Sequence, residues 1–113
     1  MGTWSTYRCN KCNYEVRTSG GHDYGMRIVT DTYICRPCQE IVDVCVGENG
    51  ITYSQKEVLK MKKYKPSLDL DLYACPKCGT ERHLLKWSNK IRPCPRCEGQ
   101  MEKDKDAGIV YWD

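Results

Sequence analysis

Residues 75–79 read Cys75-Pro76-Lys77-Cys78-Gly79, and the reading of this pentapeptide decides the fold. The same two-residue spacing returns at Cys9-Asn10-Lys11-Cys12, at Cys35-Arg36-Pro37-Cys38 and at Cys94-Pro95-Arg96-Cys97. Four pairs of one design call for one chemistry. Structural disulfides fit poorly, because a CxxC ring is typical of exchange enzymes and nine cysteines leave one thiol over. A thioredoxin-type redox centre needs a single CxxC at a helix N-terminus within a βαβ unit, and no such pattern surrounds these pairs. A tetrahedral metal site, by contrast, takes two thiolates from each tight turn, and the turn's amides can bond to the sulfurs and temper their charge.

Working outward, 22 residues separate Cys12 from Cys35, 15 separate Cys78 from Cys94, and 36 lie between Cys38 and Cys75. The second of these spacings is that of a four-thiolate zinc site, and the first is compatible with a hairpin between half-sites. The expected ligand sets are therefore Cys9, Cys12, Cys35 and Cys38 for one ion and Cys75, Cys78, Cys94 and Cys97 for another, giving two Zn2+. Cross-braced and nested pairings close longer loops, a cost that grows only slowly with length. The repeat-like layout favours sequential pairing. Lys11, Arg36, Lys77 and Arg96 each stand inside a turn, where a cation lowers the cost of an ion held by four thiolates.

A chain of 113 residues with 40% hydrophobic residues and a mean hydropathy of −0.69 is short of apolar core. Small domains of this kind rely on a metal or disulfide staple. No apolar run approaches a membrane span and the N-terminus lacks the layout of a signal peptide, so the expected compartment is the reducing cytoplasm. Eight thiolates around two divalent ions would lower the formal charge of +3 by four, to about −1. The basic balance thus carries no message about nucleic acid.

Strands are expected at 27–34, 41–46, 51–53, 67–73, 83–87 and 108–112, from β-branched and aromatic content or from alternation, with a turn at 47–50. Ser54-Gln55-Lys56-Glu57 is a capping box, which predicts a helix from Gln55 to about Tyr64, stopped by Pro66. Val58 and Met61 share one face of it, while Lys56, Lys60 and Lys63 cluster opposite. Five lysines and one glutamate give residues 54–65 a net charge of +4, making this face the candidate contact for nucleic acid or another anion. Cys45 is the odd thiol and is expected to pack as a small hydrophobe. His22 and His83 are not needed as ligands. The eight Tyr and three Trp are expected to fill the core around the metal sites.

The CPKCG knuckle at 75–79 and its variant Cys94-Pro95-Arg96-Cys97-Glu98-Gly99 resemble those of the zinc-ribbon superfamily. Tyr7-Arg8-Cys9-Asn10-Lys11-Cys12-Asn13-Tyr14 is similar to the rubredoxin-type knuckle, with Asn13 in place of glycine and able to take the same left-handed conformation. The resemblance implies a small, mainly β, metal-bound protein: two zinc ribbons, at 1–53 and 67–113, joined by one short helix at 54–66. It carries no activity of its own. The elongation-factor type of ribbon has an acidic pair at its hairpin tip, where this chain offers only Asp23.

With no nucleophile, no acid–base pair and closed four-thiolate shells, the expectation is a non-enzymatic binding or adaptor module with a protein partner. Two alternatives stand beside it: a nucleic-acid-binding ribbon, and a rubredoxin-like electron carrier holding iron.

Overall fold

The computed structural model describes residues 2–25, 27–64, 72–87 and 90–112, without the side chains of 59 and 61–64. The elements are β1 (Gly2–Cys9), β2 (Glu15–Thr18), β3 (Asp23–Tyr24), β4 (Ile28–Cys35), β5 (Glu40–Glu48), β6 (Ile51–Thr52), α1 (Gln55–Tyr64), β7 (Leu84–Lys86), β8 (Met101–Lys103) and β9 (Ile109–Trp112). The protein is mainly β, with one short helix among the described residues.

Two antiparallel sheets carry the molecule. In the first, β1 is central, with β2 along one edge and β8 and β9 sharing the other. β8 and β9 act as one interrupted strand, since Cys9↔Met101 and Tyr7↔Lys103 lead on through Ser5↔Ile109 to Gly2↔Trp112. Between them the Asp104 amide still donates to Thr6 O, and residues 105–108 turn away and return. The second sheet has the order β3-β4-β5-β6, with β7 sharing the β4 edge with β3.

β4 and β5 form a long hairpin whose alternate residues face two different cores. Val42, Val44 and Val46 face one side and gather with Val29, Cys35 and Cys75. Ile41 faces the other, joining Tyr7, Tyr14, Trp87, Met101, Cys9 and Cys94. Tyr7, Tyr14 and Trp87 surround a cysteine cluster, as expected of the aromatics, whereas Tyr24 and Tyr111 are exposed; Trp87 meets Tyr7 edge-on with ring centroids 5.3 Å apart.

A polar network ties the two sheets together. Asp43 of β5 accepts from the Thr18 hydroxyl at 2.6 Å, the Thr32 hydroxyl at 2.8 Å and the Ser19 amide at 3.1 Å. Burial pushes its carboxyl above the ordinary range, against the lowering effect of these donors.

The helix begins and ends where its capping signal and Pro66 place it. Ser54 Oγ accepts from the Glu57 amide at 3.2 Å, and Glu57 Oε2 accepts from the Ser54 amide at 3.3 Å. Val58 is buried on its inner face. The hairpin and the strands near 84 and 109 also stand close to their expected places. The strand expected at 67–73 lies in its 67–71 part outside the described residues, and Leu72 and Tyr73 form a turn.

One expectation needs correction. Strand pairing does not respect a division into 1–53, 54–66 and 67–113, because β1 pairs with β8 and β9, and β4 with β7. Each sheet draws on both halves of the chain, so the halves interleave. The physical reason is that the described residues of the second half offer short strands, which find hydrogen-bonding partners on the longer edges of β1 and β4.

Candidate metal centres

Each CxxC is a tight turn closed by the backbone five residues on. The Cys9 amide donates to Tyr14 O at 2.8 Å, Cys75 to Thr80 O at 2.9 Å and Cys94 to Gly99 O at 3.0 Å, while Cys35 and Glu40 are register partners at the mouth of the β4–β5 hairpin. Three of the turns need a left-handed residue after the second cysteine: Asn13 at φ 64°, Gln39 at φ 52° and Gly79 at φ 79°. Asn13 therefore does take the place of a glycine. Within the turns, amides point at sulfur. Lys11 N lies 3.3 Å from Cys9 Sγ, Lys77 N 3.4 Å from Cys75 Sγ, Arg96 N 3.4 Å from Cys94 Sγ and Gly99 N 3.2 Å from Cys97 Sγ.

The turns meet in a nested order. Cys9, Cys12, Cys94 and Cys97 form one group of sulfurs and Cys35, Cys38, Cys75 and Cys78 the other, each with all four sulfurs within 4.8 Å of one another. Sulfur pairs stand 3.5 Å apart across each group, Cys9 with Cys97, Cys12 with Cys94, and Cys35 with Cys78. Four sulfurs about 2.3 Å from a central ion in a tetrahedron are about 3.8 Å apart, so the donor set and its spread fit a thiolate-bound metal. All eight expected ligands are thus used, but the expected partition (Cys9, Cys12, Cys35 and Cys38; Cys75, Cys78, Cys94 and Cys97) is corrected.

Strand pairing explains the partition. The β1–β8 ladder continues past Cys9, where the Asn10 amide donates to Gln100 O at 3.0 Å and Asn10 Oδ1 accepts from the Gln100 amide at 3.2 Å. The β4–β7 ladder continues past Cys35 in the same way, with the Arg36 amide donating to His83 O at 3.0 Å. Each ladder carries one knuckle onto its partner. Closing a loop of 81 residues rather than 22 is about two doublings and costs roughly 1.2 kcal/mol, which a few ladder hydrogen bonds offset.

The thiols are polarised against one another. Burial raises Cys9, but the Cys12 and Lys11 amides and the neighbouring sulfurs outweigh it and bring its pKa down to about 6. Cys75 is brought to about 7 by the same balance of burial against the Cys78 and Lys77 amides. Burial and adjacent sulfurs push Cys35 and Cys94 up to about 12. Four sulfurs this close cannot all ionise alone, and a divalent cation at their centre removes the conflict.

Two of the four knuckle cations pair with Glu40, although both are exposed. Lys77 Nζ lies 2.6 Å from Glu40 Oε2, and Arg96 Nη2 lies 3.7 Å from Glu40 Oε1. Arg96 also stands over the Tyr14 ring, 4.5 Å from its centroid, and donates from Nε to Gln39 O at 3.1 Å. Lys11 and Arg36 are exposed.

The remaining candidates stand apart from the two clusters. Lys56 and Lys60 are exposed on α1, and the Lys63 side chain lies outside the described residues. Cys45 is half-buried, donates to Gly47 O at 3.4 Å and joins neither tetrad; burial raises its pKa. His22 Nε2 lies 3.0 Å from Tyr24 Oη and 3.2 Å from Thr52 Oγ1, and Asp23 Oδ2 accepts from the Thr3 amide at 2.8 Å. Glu40 is the residue that sequence reasoning missed, and nothing in its neighbours signalled it; Tyr14 and Gly99 were read only as members of their knuckle motifs, not for the contacts they make.

No protein-family model, curated protein or solved structure matches the chain. The two cysteine clusters are consistent with zinc-ribbon-like sites and can hold two metal ions. Among the described residues no helix is long and apolar enough to cross a membrane.

Proposed function

We propose that the chain is a two-zinc scaffold of the zinc-ribbon kind, working in the reducing cytoplasm as a non-enzymatic binding module for a protein partner. The observation that carries the metal reading is the grouping of eight sulfurs into two compact tetrads with amides directed at them. Soft thiolates in fours select zinc or iron, and four of them complete a tetrahedral shell, the arrangement of structural rather than catalytic zinc. Cys9, Cys12, Cys94 and Cys97 would hold one ion and Cys35, Cys38, Cys75 and Cys78 the other. Each ion would supply folding energy by fixing two distant turns.

The partner reading is supported by the β9 edge. Ile109 and Tyr111 are 53% and 67% exposed on a strand that carries no charged residue. Such an edge accepts an extended segment of another protein by strand addition.

Elemental analysis of protein purified without added metal tests the first half: two zinc per chain and a colourless preparation are expected, while a red, iron-loaded chain would make it an electron carrier instead. Binding to mixed-sequence RNA and DNA across a salt series tests the second half. Negligible affinity is expected, and tight binding that falls steeply with salt and with Lys56→Glu/Lys60→Glu would establish the nucleic-acid reading.

A further inference from the structure

The two tetrads are joined by one carboxylate. Glu40 opens β5, two residues beyond Cys38 of the inner tetrad (35, 38, 75, 78), and is the register partner of Cys35. It receives Lys77, which lies between Cys75 and Cys78, and Arg96, which lies between Cys94 and Cys97 of the outer tetrad (9, 12, 94, 97). The outer tetrad's other knuckle reaches the same segment, because Tyr14 Oη accepts from the Ile41 amide at 2.9 Å. Arg96 then closes the circle by lying over the Tyr14 ring and bonding Gln39 O. Residues 39–41, the exit from one inner knuckle, are thus the platform on which both outer knuckles stand.

We propose that the two ions load as one cooperative unit, with Glu40 as the positioning residue that couples the cages. The proposal rests on the metal reading above. Loading the inner cage holds residues 39–41 in place, and with them the acceptors that Tyr14 and Arg96 need to bring the outer knuckles together. Nesting adds to the effect. An ion bridging Cys35, Cys38, Cys75 and Cys78 removes the inner loop from the chain that the outer cage must close, roughly halving its length, which is worth about threefold. Linkage makes the coupling reciprocal, so the outer ion strengthens the inner site by the same factor.

Native mass spectrometry of the reduced, metal-free full chain during cobalt titration reads this directly, since forms with zero, one and two ions differ in mass. At one cobalt per chain on average, two independent equal sites place about half the chains in the one-ion form, whereas thirtyfold coupling leaves about a sixth. The wild type is expected near the lower value. Glu40→Gln, which keeps the shape but loses the charge that pairs with Lys77 and Arg96, is expected to take two ions in excess cobalt and to raise the one-ion form to about a third, the level left by loop shortening alone. Arg96→Met removes one arm and is expected to do the same, so the proposal does not depend on a single variant folding. Half or more one-ion form in the wild type overturns the coupling. Cooperative loading unchanged in both variants overturns the role of Glu40. A chain that takes up no cobalt overturns the metal reading itself, a different result from two ions bound independently.

Discussion

Gly99 passes so close to Cys9 that a Cβ built on it would lie 2.7 Å from the Cys9 sulfur, 3.0 Å from Asn10 Oδ1 and 3.1 Å from Lys11 Cβ. The fourth knuckle can therefore lean against the first only if it lacks a side chain at this point. Gly99→Ala is expected to weaken metal binding at the outer cage by about tenfold, the equivalent of about 1.4 kcal/mol, while Gly79→Ala, which has open space around it, acts only through its positive φ. Competition with a chromophoric chelator would measure both; equal affinities for wild type and Gly99→Ala would show that the crowding is relieved elsewhere.

The nested partition makes a prediction that sequential pairing inverts. Cys9→Ser/Cys97→Ser damages one cage and is expected to leave one ion per chain. Cys9→Ser/Cys35→Ser damages both cages and is expected to leave none tightly held. Had the first two knuckles shared an ion, the second double variant would keep one. Metal content after dialysis decides between them.

Removal of metal should unfold the chain, because the outer sulfurs close loops that its thin core cannot hold alone. Loss of the β circular-dichroism signature on chelation under reducing conditions, and its return with zinc, is the expected course. A chain that keeps its fold with every thiol titratable would contradict it.

Asp43 gives a stability prediction with a definite sign. Asp43→Ala strands the Thr18 and Thr32 hydroxyls and the Ser19 amide between the sheets and is expected to cost about 2 kcal/mol. Since burial raises the Asp43 pKa in the folded chain, the folded state binds its proton more firmly than the unfolded one. The contribution of Asp43 is thus greatest below the ordinary carboxylate pKa of about 4 and is lost as pH rises through the elevated folded value. The stability difference between wild type and Asp43→Asn should shift in favour of wild type on acidification through that window. Taking the difference cancels the thiol protonation common to both proteins. Paired urea titrations at several pH values would read it, and a flat difference would count against the raised pKa.

What could be read from the chain and what could not divides along the range of the interactions. The helix followed from Ser54, Glu57 and Pro66, all within twelve residues of one another. The β5–β6 hairpin followed from β-branched runs either side of the Gly47–Gly50 turn, and the eight ligands from spacing alone. The pairing of knuckles did not follow, because four CxxC turns are chemically alike and each can bond to any other. The choice is made by ladders between β1 and β8 and between β4 and β7, whose members lie far apart in sequence. β8 itself is Met101-Glu102-Lys103, too short and too polar to announce a strand, and β1 mixes Ser5, Thr6 and Arg8 with its aromatics. Glu40 was invisible for the same reason: its two cations come from other turns.

Nesting also orders events during synthesis. Cys12 leaves the ribosome 82 residues ahead of its partner Cys94, whereas Cys35 waits only 43 for Cys78. The earliest thiols made are thus the last to be shielded, and while translation continues they are open to oxidation and to capture by stray metal. A nascent chain stalled before Cys94 would carry one finished cage and one exposed dithiol.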